Sequence, residues 1–164
     1  MKKSTFTVPI EDRYLEDYIP QSVHEFGPIE VEEAEAIAFA RRFDPQPFHI
    51  DPDAAKKTVF GGLIASGWHT ACLMMRLFVD HYLSRVASLG SPGLDELRWI
   101  RPVRPGDRLS IRVTVEETGR SRSKPDRGFV RSSVEVLNQN REAVMSVKAV
   151  NILLWRSAPQ GENR

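Results

Sequence analysis

Gly67-Trp68-His69-Thr70-Ala71-Cys72-Leu73-Met74-Met75-Arg76-Leu77-Phe78-Val79 leaves almost no position for a polar face. Wound into a helix, a run this apolar all round belongs in an interior. The helix is expected to extend from near Gly67 to near Leu89, with Asp80, His81, Ser84 and Arg85 giving its second half a solvent side. Packing accounts best for His69 and Cys72, which fall on its buried part. Such a helix needs cover, and the sequence on either side supplies strands. In Leu109-Ser110-Ile111-Arg112-Val113-Thr114-Val115-Glu116 apolar and polar residues alternate strictly, the pattern of a half-buried antiparallel strand. Residues 94–103, 129–137 and 143–155 are further strands, and 22–26 is one upstream. Pro105-Gly106-Asp107 and Lys124-Pro125-Asp126-Arg127-Gly128 mark turns between them. The expected fold class is α+β, an antiparallel sheet curled around one long helix.

Two shorter helices precede the long one. Residues 30–42 follow Pro28, start with Glu30, Glu32 and Glu33, and end with Arg41 and Arg42, so their charges oppose the helix dipole at both ends. Val31, Ala34, Ile37, Ala38 and Phe43 form the expected apolar stripe. Asp51 before Pro52 is a capping residue followed by proline at the first helical position, giving a short helix over 51–57.

At 164 residues the chain suits one domain, with residues 1–20 as an N-terminal extension and 157–164 as a polar tail. A net charge of +1 gives no generic attraction to nucleic acid or membrane, and no apolar stretch is long enough to span a bilayer. Cys72 is the single cysteine, which excludes an internal disulfide and fits a reducing compartment. No signal-peptide-like run follows Met1-Lys2-Lys3-Ser4-Thr5, so the cytoplasm is the expected location.

The chemistry-bearing segment is Phe43-Asp44-Pro45-Gln46-Pro47-Phe48-His49. Each proline fixes its own φ and pushes the residue before it out of the α region, so Asp44 and Gln46 are extended or turn-like. Five steps along a helix would turn His49 roughly 140° from Asp44, and five along a strand would set it on the other face roughly 16 Å away. The two side chains can meet only across a bent loop. A rigid bend holding a carboxylate near an imidazole suits proton transfer. Alone, an Asp-Pro pair would more often cap a turn; the residues that follow add weight.

Phe39, then Asp44-Pro45-Gln46-Pro47-Phe48-His49, then Phe60 with Ile64-Ala65-Ser66-Gly67-Trp68, resembles the MaoC-like dehydratases, which include (R)-specific enoyl-CoA hydratases. Leu97-Arg98-Trp99 followed by Pro102-Val103-Arg104-Pro105-Gly106-Asp107 resembles that family's strand and turn. The resemblance spans about residues 20–155 and implies a hot-dog fold, in line with the element order above. Gln46 stands where the family commonly has asparagine, and Phe48 where it has an aliphatic residue. The resemblance implies that Asp44 and His49 hold and activate a water, with Asp44 as the expected base, while the sequence leaves open whether His49 or Asp44 delivers the proton to the α-carbon. It further implies that the Gly67 N–H, at the positive end of the long helix, receives the thioester oxygen. Gln46, Phe48, Ser66 and Trp68 are expected beside the substrate, although Ser66 serves equally well as a helix cap.

Around one turn, Arg120, Arg122, Lys124, Arg127 and Arg131 form a basic cluster. It reads either as a solvated hairpin or, through Arg120, Arg122 and Lys124, as a grip on coenzyme A phosphates. Gly62 and Gly67 have the spacing of a phosphate loop, but Trp68-His69 replaces the required lysine and hydroxyl residue. Ser66 lacks the preceding glycine of a nucleophile elbow. The four histidines do not fall at zinc spacing, and Asp51-Pro52-Asp53 lacks the rest of a calcium loop. No metal and no cofactor beyond a substrate's own coenzyme A are expected. The expected partners are an acyl-CoA thioester and a second copy of the chain. The alternatives in the sequence are a thioesterase and a non-catalytic acyl-CoA-binding module.

Overall fold

The computed structural model describes residues 6–157. Residues 1–5 lie outside that range, and so does the expected polar tail apart from Ser157. Five strands form one antiparallel sheet: β1 (Val23–Glu30), β2 (Gly93–Trp99), β3 (Arg108–Arg120), β4 (Arg127–Leu137) and β5 (Ala143–Leu154). Their spatial order is β1-β3-β4-β5-β2, so β1 and β2 are the edges. The helices α1 (Glu33–Phe43), α2 (Pro47–Ile50), α3 (Pro52–Lys56) and α4 (Gly67–His81) all fall between β1 and β2 in the chain.

The alternation read in β3 is carried through. Leu109, Ile111, Val113 and Val115 are buried, and they join Val130, Val134 and Val136 of β4 and Val147 and Leu153 of β5 in the core. Leu73, Met74, Leu77 and Phe78 of α4 complete it from the other side. This is the α+β, sheet-on-helix arrangement of the hot-dog fold. β3 extends past the expected residue 116 because a bulge between Val115 and Glu117 keeps it paired with β4 as far as Arg120.

α4 is shorter than its apolar run suggests. It stops at His81 because the chain beyond finds other partners. Ser84 Oγ accepts from the backbone N–H groups of Val86 and Ala87, and the Ser84 N–H donates to Tyr18 Oη at 3.0 Å. Side-chain bonds of this kind compete with helix continuation. Tyr18 comes from the N-terminal extension, two short 3₁₀ turns (Ile10–Asp12 and Leu15–Asp17) that are part of the fold. Leu15 and Tyr18 sit in the core, and the Arg13 guanidinium donates to the carbonyls of His81 and Tyr82 at 2.9 Å.

α4 is also not buried all round. His69 is, but Cys72 is exposed, and Trp68, Met75 and Val79 are 55%, 44% and 44% accessible. These four recur at helical spacing and form one apolar stripe that the sheet does not reach. α1 begins at Glu33, three residues later than expected, because Val31 is bound into the β1 end through Asp107 O and the Gly106 N–H. Its buried face falls on Ala36 and Ala40, while Ala34 and Ala38 face solvent and Phe43 is exposed.

Candidate active site

Pro45 and Pro47 place the acid-base pair by different means. Asp44 ends α1, and Gln46 is extended at φ −75°, ψ 142°. Pro47 then starts the one-turn helix α2, so His49 sits on a helical turn and not on a free loop. The bend brings Asp44 Oδ2 to 3.3 Å from His49 Nε2. His49 is 6% exposed and the Asp44 side chain 19%, so the pair is sheltered and open on one side.

Both groups are fixed from behind. His49 Nδ1 lies 2.8 Å from the Ile64 carbonyl oxygen. A carbonyl only accepts, so Nδ1 carries a hydrogen, and Nε2 is the nitrogen turned toward Asp44. Asp44 Oδ1 accepts from Gln46 Nε2 at 2.8 Å, and Oδ2 accepts from Ser66 Oγ at 2.7 Å. Partial burial works against ionisation of Asp44, but the hydrogen bonds from Gln46 and Ser66 and the nearby His49 outweigh it. The carboxyl group is held below its ordinary pKa and is charged at neutral pH.

Ser66 does two things. It is the N-cap of α4, its Oγ accepting from the Trp68 N–H at 3.3 Å while donating to Asp44. The start of α4 is thereby tied to the carboxylate. Gly67 follows as the first helical residue, whose N–H the helix itself cannot use. A Cβ on Gly67 would run into the Trp99 indole, so any side chain there requires that ring to shift. That ring is itself set edge-on to Trp68 at 5.1 Å.

These groups surround a cavity of about 460 Å³ lined by Asp44, Gln46, His49, Phe60, Ile64, Ala65, Gly67, Trp68, Thr70, Trp99, Ile100, Arg101, Pro102 and Val103. Of the expected site residues, Asp44, Gln46, His49, Gly67 and Trp68 line it. Ser66 stands just behind, and Phe48 backs the wall, with its ring 4.5 Å from His49 and 5.2 Å from Phe60. Arg120, Arg122 and Lys124 do not join them within one chain. The cavity lies where β3 begins, and their turn lies where β3 ends, roughly 40 Å of strand away. There Arg120 stacks on Trp155 at 4.6 Å.

Residues 99–103 form the cavity wall that the expected site left out. β2 ends at Trp99, four residues short of the expected 103, because the Ala65 N–H takes the Val103 carbonyl and draws this segment over the α4 entrance. Their sequence signal is the strand-and-turn motif at Leu97-Arg98-Trp99 and Pro102-Val103-Arg104-Pro105-Gly106-Asp107, which marks a fold element and carries no acid, base or nucleophile pattern of its own. Among the described residues no group of His, Cys, Asp and Glu side chains is placed to hold a metal ion, and no helix is long and apolar enough to cross a membrane.

Comparisons with known proteins agree with this architecture. A family model for the MaoC-like domain matches residues 16–139. A MaoC-like dehydratase from Rhodospirillum rubrum is 40% identical, with a TM-score of 0.79 over 88% of this chain and 99% of that one. The R-hydratase PhaJ1 from Pseudomonas aeruginosa is 25% identical, with a TM-score of 0.69 over 86% of this chain and 84% of its own. The uncharacterized protein YdeM of Bacillus subtilis is 29% identical over 101 residues, 62% of this chain and 72% of that protein. With its strand order, its proline-bent acid-base pair and a family match across most of its length, the chain belongs to the MaoC-like domain family.

Proposed function

We propose that this protein hydrates and dehydrates α,β-unsaturated acyl thioesters, carried on coenzyme A or a like arm, at the Asp44–His49 pair. One observation carries the reading: a carboxylate oxygen and an imidazole nitrogen converge at 3.3 Å on the edge of a cavity that also reaches the α4 N-terminus. Two acceptors facing each other cannot bond directly while the ring is neutral. A water can satisfy both by donating one hydrogen to each, which leaves its oxygen lone pair free for the β-carbon.

The proton balance follows from the tautomer. With Nδ1–H committed to Ile64, His49 can deliver a proton from Nε2 only after receiving one. The pair therefore acts as a unit. As the water oxygen bonds to the β-carbon, its proton passes to the pair, and the pair gives a proton to the α-carbon. Between the two events negative charge rests on the thioester oxygen, where the Gly67 N–H and the positive end of α4 stabilise it. Dehydration runs the same steps backward. General acid-base help of this kind is worth roughly 10²- to 10⁴-fold.

The names of the relatives support the same reaction class: a dehydratase from Rhodospirillum rubrum and an R-hydratase from Pseudomonas aeruginosa. The test is a short enoyl-CoA, followed by the ultraviolet absorbance of its conjugated thioester beside a free-thiol assay. Loss of absorbance without thiol release is the expected result. Thiol release would make the protein a thioesterase, and no change in either would leave it a binding module. The first acid on α4 is Asp80, paired with Arg76 at the far end of the helix, so α4 itself brings no carboxylate to the cavity.

A homodimer belongs to the same proposal. The α4 stripe is exposed, as are the apolar residues of β2 and its end (Leu94, Trp99 and Ile100 at 54%, 47% and 50%), and the two meet where Trp68 stands edge-on to Trp99 at 5.1 Å. An open edge strand invites pairing, and a second copy offers the same edge and stripe in return.

A further inference from the structure

We propose that Arg101 and Arg104 form an anion site at the mouth of the cavity, and that its ligand is the phosphate ending a pantetheine arm. The inference rests on the acyl thioester reading of the cavity. A thioester carbonyl held near Gly67 sends its sulfur and the pantetheine chain outward, so the first phosphate must come to rest at the rim. Arg101 is exposed and lines the cavity where the segment after β2 closes over the α4 entrance.

Arg104 flanks the same mouth and is fixed in place. Its Nη2 donates to the carbonyl of Phe60, a lining residue, at 2.6 Å, and its Nη1 lies 3.4 Å from where a Cβ on Gly62 would stand. Its backbone starts a tight turn: Asp107 N–H donates to Arg104 O, and Gly106 takes φ 90° after Pro105, as a type II turn requires. Pro102 and Pro105 further limit how far either arginine can drift.

Among the described residues neither guanidinium forms an ion pair with a carboxylate. Arg104 spends one N–H on Phe60 and keeps the rest of its donor fork. Two such forks at the rim offer phosphate oxygens opposite charge and bidentate donors. The turn carrying Arg120, Arg122 and Lys124 lies at the other end of β3 and has no such place beside the cavity.

Calorimetric binding of saturated thioesters tests the site without any hydration step. Butyryl-CoA, butyryl-4′-phosphopantetheine and butyryl-pantetheine would be titrated into the full-length protein and into Arg101→Gln, Arg104→Gln and the double variant. The wild type should prefer butyryl-CoA over butyryl-pantetheine by about tenfold or more, the scale of a hydrogen bond to a charged group. The double variant should lose that preference while binding butyryl-pantetheine as the wild type does, which also shows that it is folded. If butyryl-4′-phosphopantetheine binds as tightly as butyryl-CoA, a single phosphate suffices and a carrier-protein arm fits the site. If it binds more weakly, the diphosphate of coenzyme A is the ligand. A wild type that binds all three thioesters equally, or a double variant that keeps the preference, overturns the arginine site and leaves the thioester reading standing. A wild type that binds none of them overturns both.

Discussion

Asp44 has its charge stabilised and its reach fixed by two different neighbours. Gln46 holds Oδ1, so Oδ2 is the oxygen presented to His49, and Ser66 holds Oδ2 from the helix side. Asp44→Asn keeps the shape and removes the base, and His49→Ala removes its partner. Each should lower hydratase kcat by about 10²-fold or more while circular dichroism stays native. A variant keeping more than about a tenth of wild-type kcat would show that the residue takes no part in proton transfer of that size. The pH profile gives a finer test. Burial raises the Asp44 pKa, and the bonds from Gln46 and Ser66, with His49 nearby, lower it further than burial raises it. The base must be ionised, so activity falls as pH drops through that pKa. Gln46→Leu removes one of the lowering contacts, so the acid limb of kcat/KM should move to higher pH. A limb that stays in place would mean that a different group controls it. The same sign applies to stability: the depressed pKa favours the folded state above the ordinary carboxylate range near about 4, and that contribution is lost as pH falls through the folded value.

α4 shows which parts of an element can be read from sequence and which cannot. Its start was legible because Ser66-Gly67 is a local cap signal, and the cap is formed as expected. Its end was not, because Tyr18, far away in the chain, decides what Ser84 does. The strands were legible from their alternation, since a period of two survives in any register. The Asp44–His49 meeting was legible from two prolines, but the Ile64 carbonyl that sets the tautomer carries no sequence signal. Nor does the contact of Trp99 with Gly67, because it joins a strand end to a helix start through tertiary packing. That contact changes how the helix terminus must be tested. Gly67→Pro deletes the N–H, yet its Cβ also meets the Trp99 ring, and so does the Cβ of Gly67→Ala. The ratio of the two variants isolates the donor. Both should be impaired, and Gly67→Pro should fall below Gly67→Ala in kcat by a further 10²- to 10³-fold, about 2.7–4 kcal/mol by analogy with other oxyanion donors. Proline is tolerated in the first helical turn, so the fold should persist in both. Equal turnover in the two variants would place the oxyanion donor elsewhere.

At the scale of the molecule, the apolar surface left over by the fold is concentrated and not scattered. Trp68, Cys72, Met75 and Val79 form a line along α4, and β2 beside it is exposed along nearly its whole length. The run of apolar residues on α4 was read as full burial within one chain, when part of it meets neither the sheet nor α1. A helix apolar on all sides but covered on one is stable in water only with a second cover, and a twofold copy brings an identical stripe to it. The wild type should therefore sediment as a dimer burying an area of the usual order, about 1,200–2,000 Å². Met75→Glu with Val79→Glu places two charges in the line, away from the cavity-lining residues. Bringing two copies together would then desolvate unpaired carboxylates, and the double variant should sediment as a monomer. Cys72 supplies a second readout, since it stands between Trp68 and Met75 on the same stripe and is the chain's single thiol. A thiol reagent should label it slowly in the wild type and quickly in the double variant. A wild type that sediments as a monomer with a freely labelled Cys72 would show that the stripe stays open in solution, and the proposed dimer would be wrong.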